Sequence, residues 1–376
     1  MFLLAWRQIL LDPLRTILTS VALGSVIAVI LILAGFEQGQ YHQLEQIVLH
    51  RKADLIVTQA GVNNFIAVRS SIPQLARAKV EAVDGVINAH PITAIPIIYN
   101  ANNIRTPVYV VVYDTKGGPS SIIQGHNIKQ GRDIVIDLSL ATKYNLKPGD
   151  SFQVTGFEFK IVGITKEAAF MMPFAFINYD GMIDLFIESE IAPDLSTFPL
   201  LSYMLVELKP NSDREKIARL IEQRVSSVDV MTPDQLAEND VNMGKVFFEP
   251  IMGLLVTIGY IIGMLVVGLI MYADIRGRIK SFAVLKALGF SFGRLFLAVL
   301  VQSLLLLVIT IPIGIFLALG LAEFIETIAP VYLIQLFEPK MFIQILIACF
   351  GFAFIGALIP IRTIQRTDPM LAFQGT

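Results

Sequence analysis

Four long stretches of the chain contain no Asp, Glu, Lys or Arg, and this feature most restricts how the chain can fold. They are residues 16–36, 250–273, 295–322 and 341–361, with lengths of 21, 24, 28 and 21 residues. A helix needs about 20 apolar residues to cross the roughly 30 Å hydrocarbon core of a bilayer. Each stretch therefore predicts a transmembrane helix. For the first stretch alone a cleaved signal peptide is the alternative, but no small-residue cleavage site precedes Glu37.

The composition agrees with a membrane protein. Apolar residues make up 55% of the 376 residues and charged residues only 16%, with a mean hydropathy of +0.66, whereas soluble domains have about 25% charged residues. The net charge of −2 gives no electrostatic reason to expect a nucleic-acid partner. Cys349 is the single cysteine, which excludes an intrachain disulfide and a cysteine-based metal cluster.

Basic residues beside the apolar stretches predict the orientation of the chain. Two arginines precede the first stretch, five basic residues lie in 274–294, and two arginines follow the fourth stretch. Short cytoplasmic loops carry an excess of Lys and Arg. Both termini and the loop 274–294 are therefore expected in the cytoplasm. Residues 37–249 and the short loop 323–340 are expected on the opposite side of the membrane.

The large extracytoplasmic segment is predicted to be an α+β domain. β-branched runs predict strands at 53–59, 86–99, 106–113 and 203–208, and helical spacing predicts helices at 73–83 and 213–225. Between these halves, short apolar runs at 133–137, 151–155 and 159–164 and a short helix at 139–144 indicate a β-rich insert. We expect the two halves to form one subdomain and residues 117–200 to form the second.

The sequence contains no catalytic constellation. Its four histidines have no metal-ligand spacing with one another or with carboxylates, and no HExxH, GxSxG or Walker A motif occurs. Asp133 and Asp137 would share a face of a strand, but they flank an apolar run, so we expect them at its exposed ends. We therefore expect no catalytic, cofactor-binding or metal-binding residues, and a chain that is not an enzyme.

The cytoplasmic loop 274–294 reads DIRGRIKSFAVLKALGFSFGR. It is basic and free of helix breakers from Ile279 to Leu288, and it ends at a glycine. Composition alone favours an interfacial helix that satisfies the rule for basic cytoplasmic loops. The alternative is a docking helix for a cytoplasmic partner.

This loop resembles the cytoplasmic motif of the MacB/FtsX-type (type VII) ABC transporter permeases. In that family a basic segment leads into an Arg/Lys-Ala-Leu-Gly ending. The matching residues here are Arg278, Lys280, Phe282, Ala283 and Val284, followed by Lys286, Ala287, Leu288 and Gly289. The resemblance extends to the topology, to the α+β domain with its insert and to the tail 366–373, and so spans essentially the whole chain. Ser281 stands where the family usually has Glu, so an ion pair of that Glu with the ATPase is not implied here.

The resemblance implies a partnership with an ATPase. Such permeases lie in the inner (plasma) membrane of bacteria, with their large domain in the periplasm. They form a dimer, here expected to be a homodimer, with two copies of a separate cytoplasmic ABC ATPase that binds ATP and Mg²⁺. This chain would bind no cofactor itself. The docking (coupling) helix would be about 275–290, and the N-terminal residues 1–15 would form an amphipathic helix on the inner surface, consistent with Trp6 and Arg7.

The resemblance also names the parts of the extracytoplasmic domain. Residues 50–116 and 200–232 would correspond to a porter subdomain, and residues 117–200 to a β-rich sabre subdomain. The fourth span is followed only by the tail 362–376, without a fused ATPase. The chain therefore resembles the stand-alone permeases of the family, such as DevC or LolC.

The apolar stretches contain no charged residue that could relay ions across the membrane. This disfavours an ion-coupled carrier and favours a protein that transmits motion to its extracytoplasmic domain. Gly259 and Gly263 form a GxxxG pair in the second stretch, which predicts either a dimer contact or packing within the chain. Pro312 would allow a kink in the third.

The expected function is a permease subunit that couples ATP hydrolysis to movements of its periplasmic domain and exports or extracts an amphiphile, such as a lipid, lipoprotein, peptide or small toxin. Membrane lipids would surround it. A periplasmic adaptor protein and an outer-membrane channel are further candidate partners of an exporter. The alternative is a transmembrane regulator that transmits ATPase motion to a cell-wall hydrolase or a sensor partner.

Overall fold

A computed structural model describes residues 13–101, 103–188, 200–277 and 279–358. The chain divides into two compact units. The helical unit consists of Met1–Gln38, Pro250–Phe324 and Ile334–Thr376, and the sheet unit consists of Gly39–Glu249 and Ile325–Leu333. The predicted N-terminal amphipathic helix, with Trp6 and Arg7, and the tail 362–376 lie outside the described residues.

Nine helices occur in the described part of the chain. They are α1 (Pro13–Leu49), α2 (Leu75–Glu81), α3 (Leu138–Tyr144), α4 (Tyr179–Glu188), α5 (Arg214–Arg224), α6 (Pro233–Gly277), α7 (Ile279–Ala287), α8 (Phe292–Ile328) and α9 (Pro339–Leu358). Three of them contain segments long and apolar enough to cross a membrane, at Thr16–Leu49, Pro233–Ile270 and Gly293–Ile328. A fourth apolar segment, Pro339–Ile355 within α9, is shorter. The fourth span therefore stays a prediction.

Helices α1 and α6 are longer than the apolar stretches that predicted them. α1 continues past Phe36 to Leu49, and α6 begins at Pro233 rather than near Pro250. The extension of α1 is amphipathic, because Leu44, Ile47 and Val48 recur at helical spacing and are buried in the sheet unit. The sequence prediction placed these segments in the extracytoplasmic domain without a secondary structure.

Thirteen strands occur in the described residues of the sheet unit. They are β1 (Leu55–Gln59), β2 (Ile72–Pro73), β3 (Val86–Ala101), β4 (Ile104–Tyr113), β5 (Gln124–Gly125), β6 (Asp133–Asp137), β7 (Ser151–Val154), β8 (Phe157–Thr165), β9 (Ala168–Ala169), β10 (Met172–Asn178), β11 (Leu200–Leu201), β12 (Tyr203–Leu208) and β13 (Val228–Met231). The strands and helices that the sequence predicted for this segment are present, with ends within about two residues of the prediction.

One sheet runs through the whole unit in the order β13-β1-β12-β3-β4-β10-β6-β8-β5, with β7 on β8 and β9 on β10. Strands β11 and β2 form a separate pair. The insert joins the flanking halves through β10, which pairs in parallel with β4 from Phe174 opposite Tyr109 to Asn178 opposite Tyr113. The two predicted parts are therefore not two sheets, and the division into subdomains stays a prediction.

Strand β4 is buried on both faces. Tyr109 and Val111 belong to the core that contains the end of α1, whereas Val110 and Val112 belong to the core of the insert. This follows from the alternation of side chains along a strand. A third core lies under α2 and α5 and includes Ile221.

Candidate functional site

The predicted docking segment contains helix α7, which is ended by a glycine cap. Gly289 has a φ of +83°, a left-handed conformation that glycine adopts readily. Its N–H donates to the Lys286 carbonyl at 3.0 Å, and the Phe290 N–H donates to the Leu285 carbonyl at 3.1 Å. This bond pair defines a Schellman cap, and Leu285 and Phe290 pack together beside Leu295 of α8. The glycine of the Lys-Ala-Leu-Gly ending is thus required by the turn from α7 into α8.

The described side chains of α7 give it one exposed apolar face. Leu288, just after the helix, is 71% exposed and Val284, one turn earlier, is 45% exposed, so both lie on one side of the helix. Ala287 is exposed and Lys286 half-buried. Ala283, another predicted docking residue, is fully buried.

The burial of Ala283 places its methyl group inside the helical unit, away from a surface that a partner could reach. Fewer residues of the predicted docking face are therefore exposed, among those that the structure describes, than the sequence suggested. Arg278 and the side chains of Lys280 and Phe282 lie outside the described residues.

Gly259 and Gly263 face helix α1 of the same chain. A Cβ added to Gly263 would lie 3.1 Å from Val26 Cγ1 and 3.3 Å from Phe352 Cε2, and a Cβ added to Gly259 would lie 3.4 Å from Ile30 Cγ1. These contacts match the packing role that the sequence offered for the GxxxG pair. A dimer role for this face stays a prediction.

A closer helix contact, which the sequence analysis missed, occurs between Gly24 of α1 and Gly314 of α8. A Cβ on Gly24 would lie 3.2 Å from the Gly314 nitrogen and 2.9 Å from Ile313 Cγ2, and a Cβ on Gly314 would lie 3.0 Å from the Gly24 carbonyl oxygen. Pro312 lies two residues before Gly314 in α8. Neither glycine belongs to a GxxxG motif, so only the fold reveals the pair.

A buried ionic cluster holds the segment that follows α1. Arg51 is 1% exposed, and its guanidinium donates to the carboxylate of Glu167 and, at 2.9 Å, to the Gly118 carbonyl. Its Nε donates to the Ile47 carbonyl at 3.0 Å. The guanidinium also lies 5.3 Å from the centre of the Phe176 ring. The chain leaving the first apolar helix is therefore tied to the β8–β9 turn of the insert.

Asp137 extends this cluster at the end of β6. Its Oδ2 accepts the backbone N–H of Glu167 at 2.8 Å, and its Oδ1 accepts the Ser139 N–H at 2.8 Å as the N-cap of α3. Burial raises the pKa of the Asp137 carboxyl to about 6, although these hydrogen bonds oppose the shift.

The prediction that Asp133 and Asp137 lie at exposed strand ends is wrong. Asp133 is 6% exposed and Asp137 1% exposed. The Asp133 carboxylate accepts the backbone N–H groups of Lys129 and Gln130, both at 2.9 Å. Both carboxylates are buried because they satisfy local backbone donors at the two ends of β6.

Helix α6 is held in the sheet unit by a second buried carboxylate. Asp240 is 2% exposed and accepts the Phe65 N–H at 2.9 Å to Oδ2 and 3.1 Å to Oδ1. The Tyr203 hydroxyl donates to the Phe65 carbonyl at 2.6 Å. Both helices that enter the sheet unit from apolar stretches are therefore anchored there by buried polar side chains.

A cleft of about 240 Å³ with both polar and apolar side chains in its lining lies beside the ionic cluster. It is lined by one face of the last turns of α1, by the β8–β9 turn and by the segment after α8, with residues His42, Gln43, Gln46, Ile47, His50, Asp137, Lys166, Glu167, Ala168, Pro330 and Leu333. All of them belong to the sheet unit. Among the described residues, no group of three or more His, Cys, Asp and Glu could hold a metal ion.

Two family models match this chain. The model described as a MacB-like periplasmic core domain matches residues 16–224, which is more than half of the chain. The model described as an FtsX-like permease C-terminal domain matches residues 253–369. The first match covers most of α1 and the sheet unit as far as α5. The second match covers α7, α8 and α9.

Relatives are similar over the whole length. A protein of Mycobacterium tuberculosis named as an uncharacterized ABC transporter permease is 22% identical over 380 residues, covering 100% of both chains. A Staphylococcus epidermidis protein whose name refers to a hemin transport system permease, HrtB, is 24% identical over 379 residues and 99% of each chain.

Two solved domains show a weaker likeness. The extracellular domain of the noncanonic ABC-type transporter YknZ from Gram-positive bacteria covers 48% of this chain and 100% of its own, at 13% identity and a TM-score of 0.35. The periplasmic region of MacB from Actinobacillus actinomycetemcomitans covers 49% of this chain and 91% of its own, at 11% identity and a TM-score of 0.35.

Proposed function

Because this chain belongs to the MacB/FtsX-type family of ABC transporter permeases, we propose that it couples ATP hydrolysis by a separate cytoplasmic ATPase to movements of its sheet unit. These movements drive the export or extraction of an amphiphilic substrate. The chain is the permease subunit, and the ATPase that its family requires supplies the energy. ATP and Mg²⁺ bind to that ATPase, and this chain is a non-catalytic subunit.

The observation that carries this proposal is the exposed face of α7. The helix lies between two long apolar helices and is ended rigidly by the Gly289 cap. Val284 and Leu288 expose apolar side chains beside basic residues of the same loop. An apolar anchor with a basic rim suits a protein partner, since buried apolar anchors supply most of the binding energy of an interface.

The two anchored helices support the transmission of motion. α1 and α6 each contain an apolar stretch and also residues buried in the sheet unit, which follow the apolar stretch in α1 and precede it in α6. Arg51 is the second residue after the end of the first helix, and Asp240 lies within the second helix. A displacement of either helix would act on buried ionic or hydrogen-bonded contacts rather than on a loose linker.

The assembly that we propose is a permease homodimer with two ATPase copies. Both termini and α7 face the cytoplasm, and the sheet unit faces the periplasmic or outer side. An adaptor protein and an outer-membrane channel would join if the substrate crosses a second membrane. The hemin named for one relative agrees with an amphiphilic substrate, because hemin combines a large apolar ring with carboxylates.

Co-purification of the ATPase tests the docking face. Leu288→Glu puts a charge into the apolar anchor, and we expect it to reduce the ATPase recovered with the permease at least tenfold, by about 1.4 kcal/mol or more. Ile98→Glu is the matched control, because Ile98 is 68% exposed on β3 of the sheet unit. Recovery of full ATPase stoichiometry with Leu288→Glu would show that α7 is not the docking site.

A further inference from the structure

The cleft beside the ionic cluster is left with one carboxylate whose charge no cation balances. Three charged side chains line it, Asp137, Lys166 and Glu167. Glu167 is paired with Arg51, and Lys166 Nζ lies 3.6 Å from Glu326 Oε2. Among the described contacts the donors to the Asp137 carboxylate are backbone N–H groups and the Ser139 hydroxyl, and none of them carries a charge. A buried carboxylate without a cation is unfavourable, and it is stabilised either by taking up a proton or by binding a cation.

Gln43 presents a second acceptor at the same cleft. Its Nε2 donates to the Val331 carbonyl at 3.1 Å, which fixes the orientation of the amide. Its Oε1 is buried and has no hydrogen-bond partner within the described residues. A buried carbonyl oxygen without a donor is rare in folded proteins. The cleft therefore lacks a hydrogen-bond donor at this position.

The remaining polar groups also favour a donor. Burial lowers the pKa of His50, which keeps its imidazole neutral near pH 7 with one ring nitrogen as an acceptor. Ile47, Pro330 and Leu333 add apolar surface. The volume of about 240 Å³ is below the roughly 300–1,000 Å³ of sites for drug-sized ligands, so the cleft suits a small group.

We propose that this cleft binds an organic ammonium group on a short apolar chain, with the Asp137 carboxylate as its counter-ion and Gln43 Oε1 as its second acceptor. An ammonium group donates up to three hydrogen bonds and carries the charge that the cleft lacks. A metal ion is the weaker occupant, because no set of three His, Cys, Asp or Glu ligands is assembled among the described residues. This inference does not depend on the coupling role of α7.

Titration with a small amine tests the site. The full-length permease in phosphatidylcholine nanodiscs is titrated calorimetrically with n-butylammonium, and with butanol and butanoate as matched uncharged and anionic probes. At about pH 7.5 the Asp137 carboxylate is ionised, since its pKa is raised only to about 6. We expect saturable binding of butylammonium and none of butanoate.

Variants identify the groups responsible. Asp137→Asn and Gln43→Leu should each weaken butylammonium binding about tenfold or more, as expected for loss of a charged or buried acceptor. Asp133→Asn is the control, because Asp133 is also buried at an end of β6 but does not line the cleft. Lys166→Met should strengthen binding by removing a like charge. Gln43→Leu keeps the test valid if Asp137→Asn fails to fold.

Three results would overturn the proposal. They are the absence of saturable butylammonium binding by the wild type, unchanged affinity in both Asp137→Asn and Gln43→Leu, and butanoate binding that is lost in Lys166→Met. The last would identify an anion site instead. Nanodiscs with phosphatidylethanolamine separate two sources of the amine: weaker butylammonium binding there assigns the site to a lipid headgroup, and unchanged binding assigns it to a free amine.

Discussion

Arg51 and Glu167 form an ion pair whose side chains are 1% and 2% exposed, 116 residues apart in the sequence. The pair joins the segment just after α1 to the turn that follows β8. Ser120 donates its backbone N–H to the second Glu167 oxygen, and Arg51 donates to two glycine carbonyls. Both charges are thus fully compensated inside the sheet unit.

Arg51→Met should strongly destabilise the sheet unit. The substitution leaves Glu167 as a buried charge without its cation, which typically lowers the free energy of unfolding by about 3–5 kcal/mol. The double variant Arg51→Met/Glu167→Met should recover most of this loss, because two apolar side chains replace the pair. Denaturant unfolding of the purified permease measures both effects.

An exposed pair provides the comparison. Lys209 Nζ lies 3.1 Å from Asp84 Oδ1, with side chains 58% and 98% exposed, and exposed pairs contribute about 1 kcal/mol or less. Lys209→Met should therefore leave the unfolding midpoint nearly unchanged. Equal effects of Arg51→Met and Lys209→Met would contradict a structural role for the buried pair.

Asp137 should make the stability of the sheet unit depend on pH. Its folded pKa is about 6, above the value of about 3.9 in an unfolded chain. The folded state therefore binds more protons between these values, and its stabilising contribution is complete below about pH 4 and is lost as the pH rises through about 6. Asp137→Asn should flatten this part of the curve of unfolding midpoint against pH, and an unchanged slope would refute the assignment.

Gly314→Ala should destabilise the helical unit at the α1–α8 contact. The added methyl group would lie 2.9 Å from the Cβ of Ile27 and 3.0 Å from the Gly24 carbonyl oxygen. Overpacking of this kind typically lowers stability by about 1–3 kcal/mol. Gly320→Ala in the same helix is the control, since nothing lies within 4 Å of its added Cβ. There the higher helix propensity of Ala should stabilise by up to about 1 kcal/mol, and thermal unfolding in detergent separates the two variants.

Reversal of the basic charges at Arg278, Lys280 and Lys286 should weaken ATPase recovery while membrane insertion stays intact. The charge reversal tests the basic rim independently of the apolar anchor at Leu288. Membrane fractionation provides the control for insertion. Full ATPase stoichiometry in the charge-reversed variant would exclude this loop as the docking site.

The parts of the fold that the sequence predicted are those with local signals. Strands such as β12 show an alternation of side chains or a run of β-branched residues. Helix α5 shows apolar residues at helical spacing and has Asp213 as its N-cap. Strand β10 was missed because its sequence MPFAFIN is apolar on both faces. An unbroken apolar run shows no alternation of polar and apolar residues from which a strand could be predicted. The extension of α1 was missed because Glu, Gln and His interrupt its apolar pattern.

The candidate site could be predicted only where it is local. Gly289 was singled out by its place in the loop, and its cap explains why a glycine stands there. The pairing of Arg51 with Glu167, or of Gly24 with Gly314, depends on contacts between distant segments that one sequence does not contain. Asp137 was assigned to the surface because composition favours exposed carboxylates, whereas the backbone donors at the end of β6 hold it inside.

The parallel pairing of β4 with β10 limits how separable the insert is. Residues 117–200 look like a removable module in the sequence, yet β10 shares a ladder with β4 from Tyr109 to Tyr113. Excision of the insert would leave β4 as an open edge with the apolar side chains of Val110 and Val112 uncovered. An open, apolar edge strand recruits other chains. A truncated permease of this kind should aggregate rather than act as a minimal transporter, so the insert can be varied in sequence but not discarded.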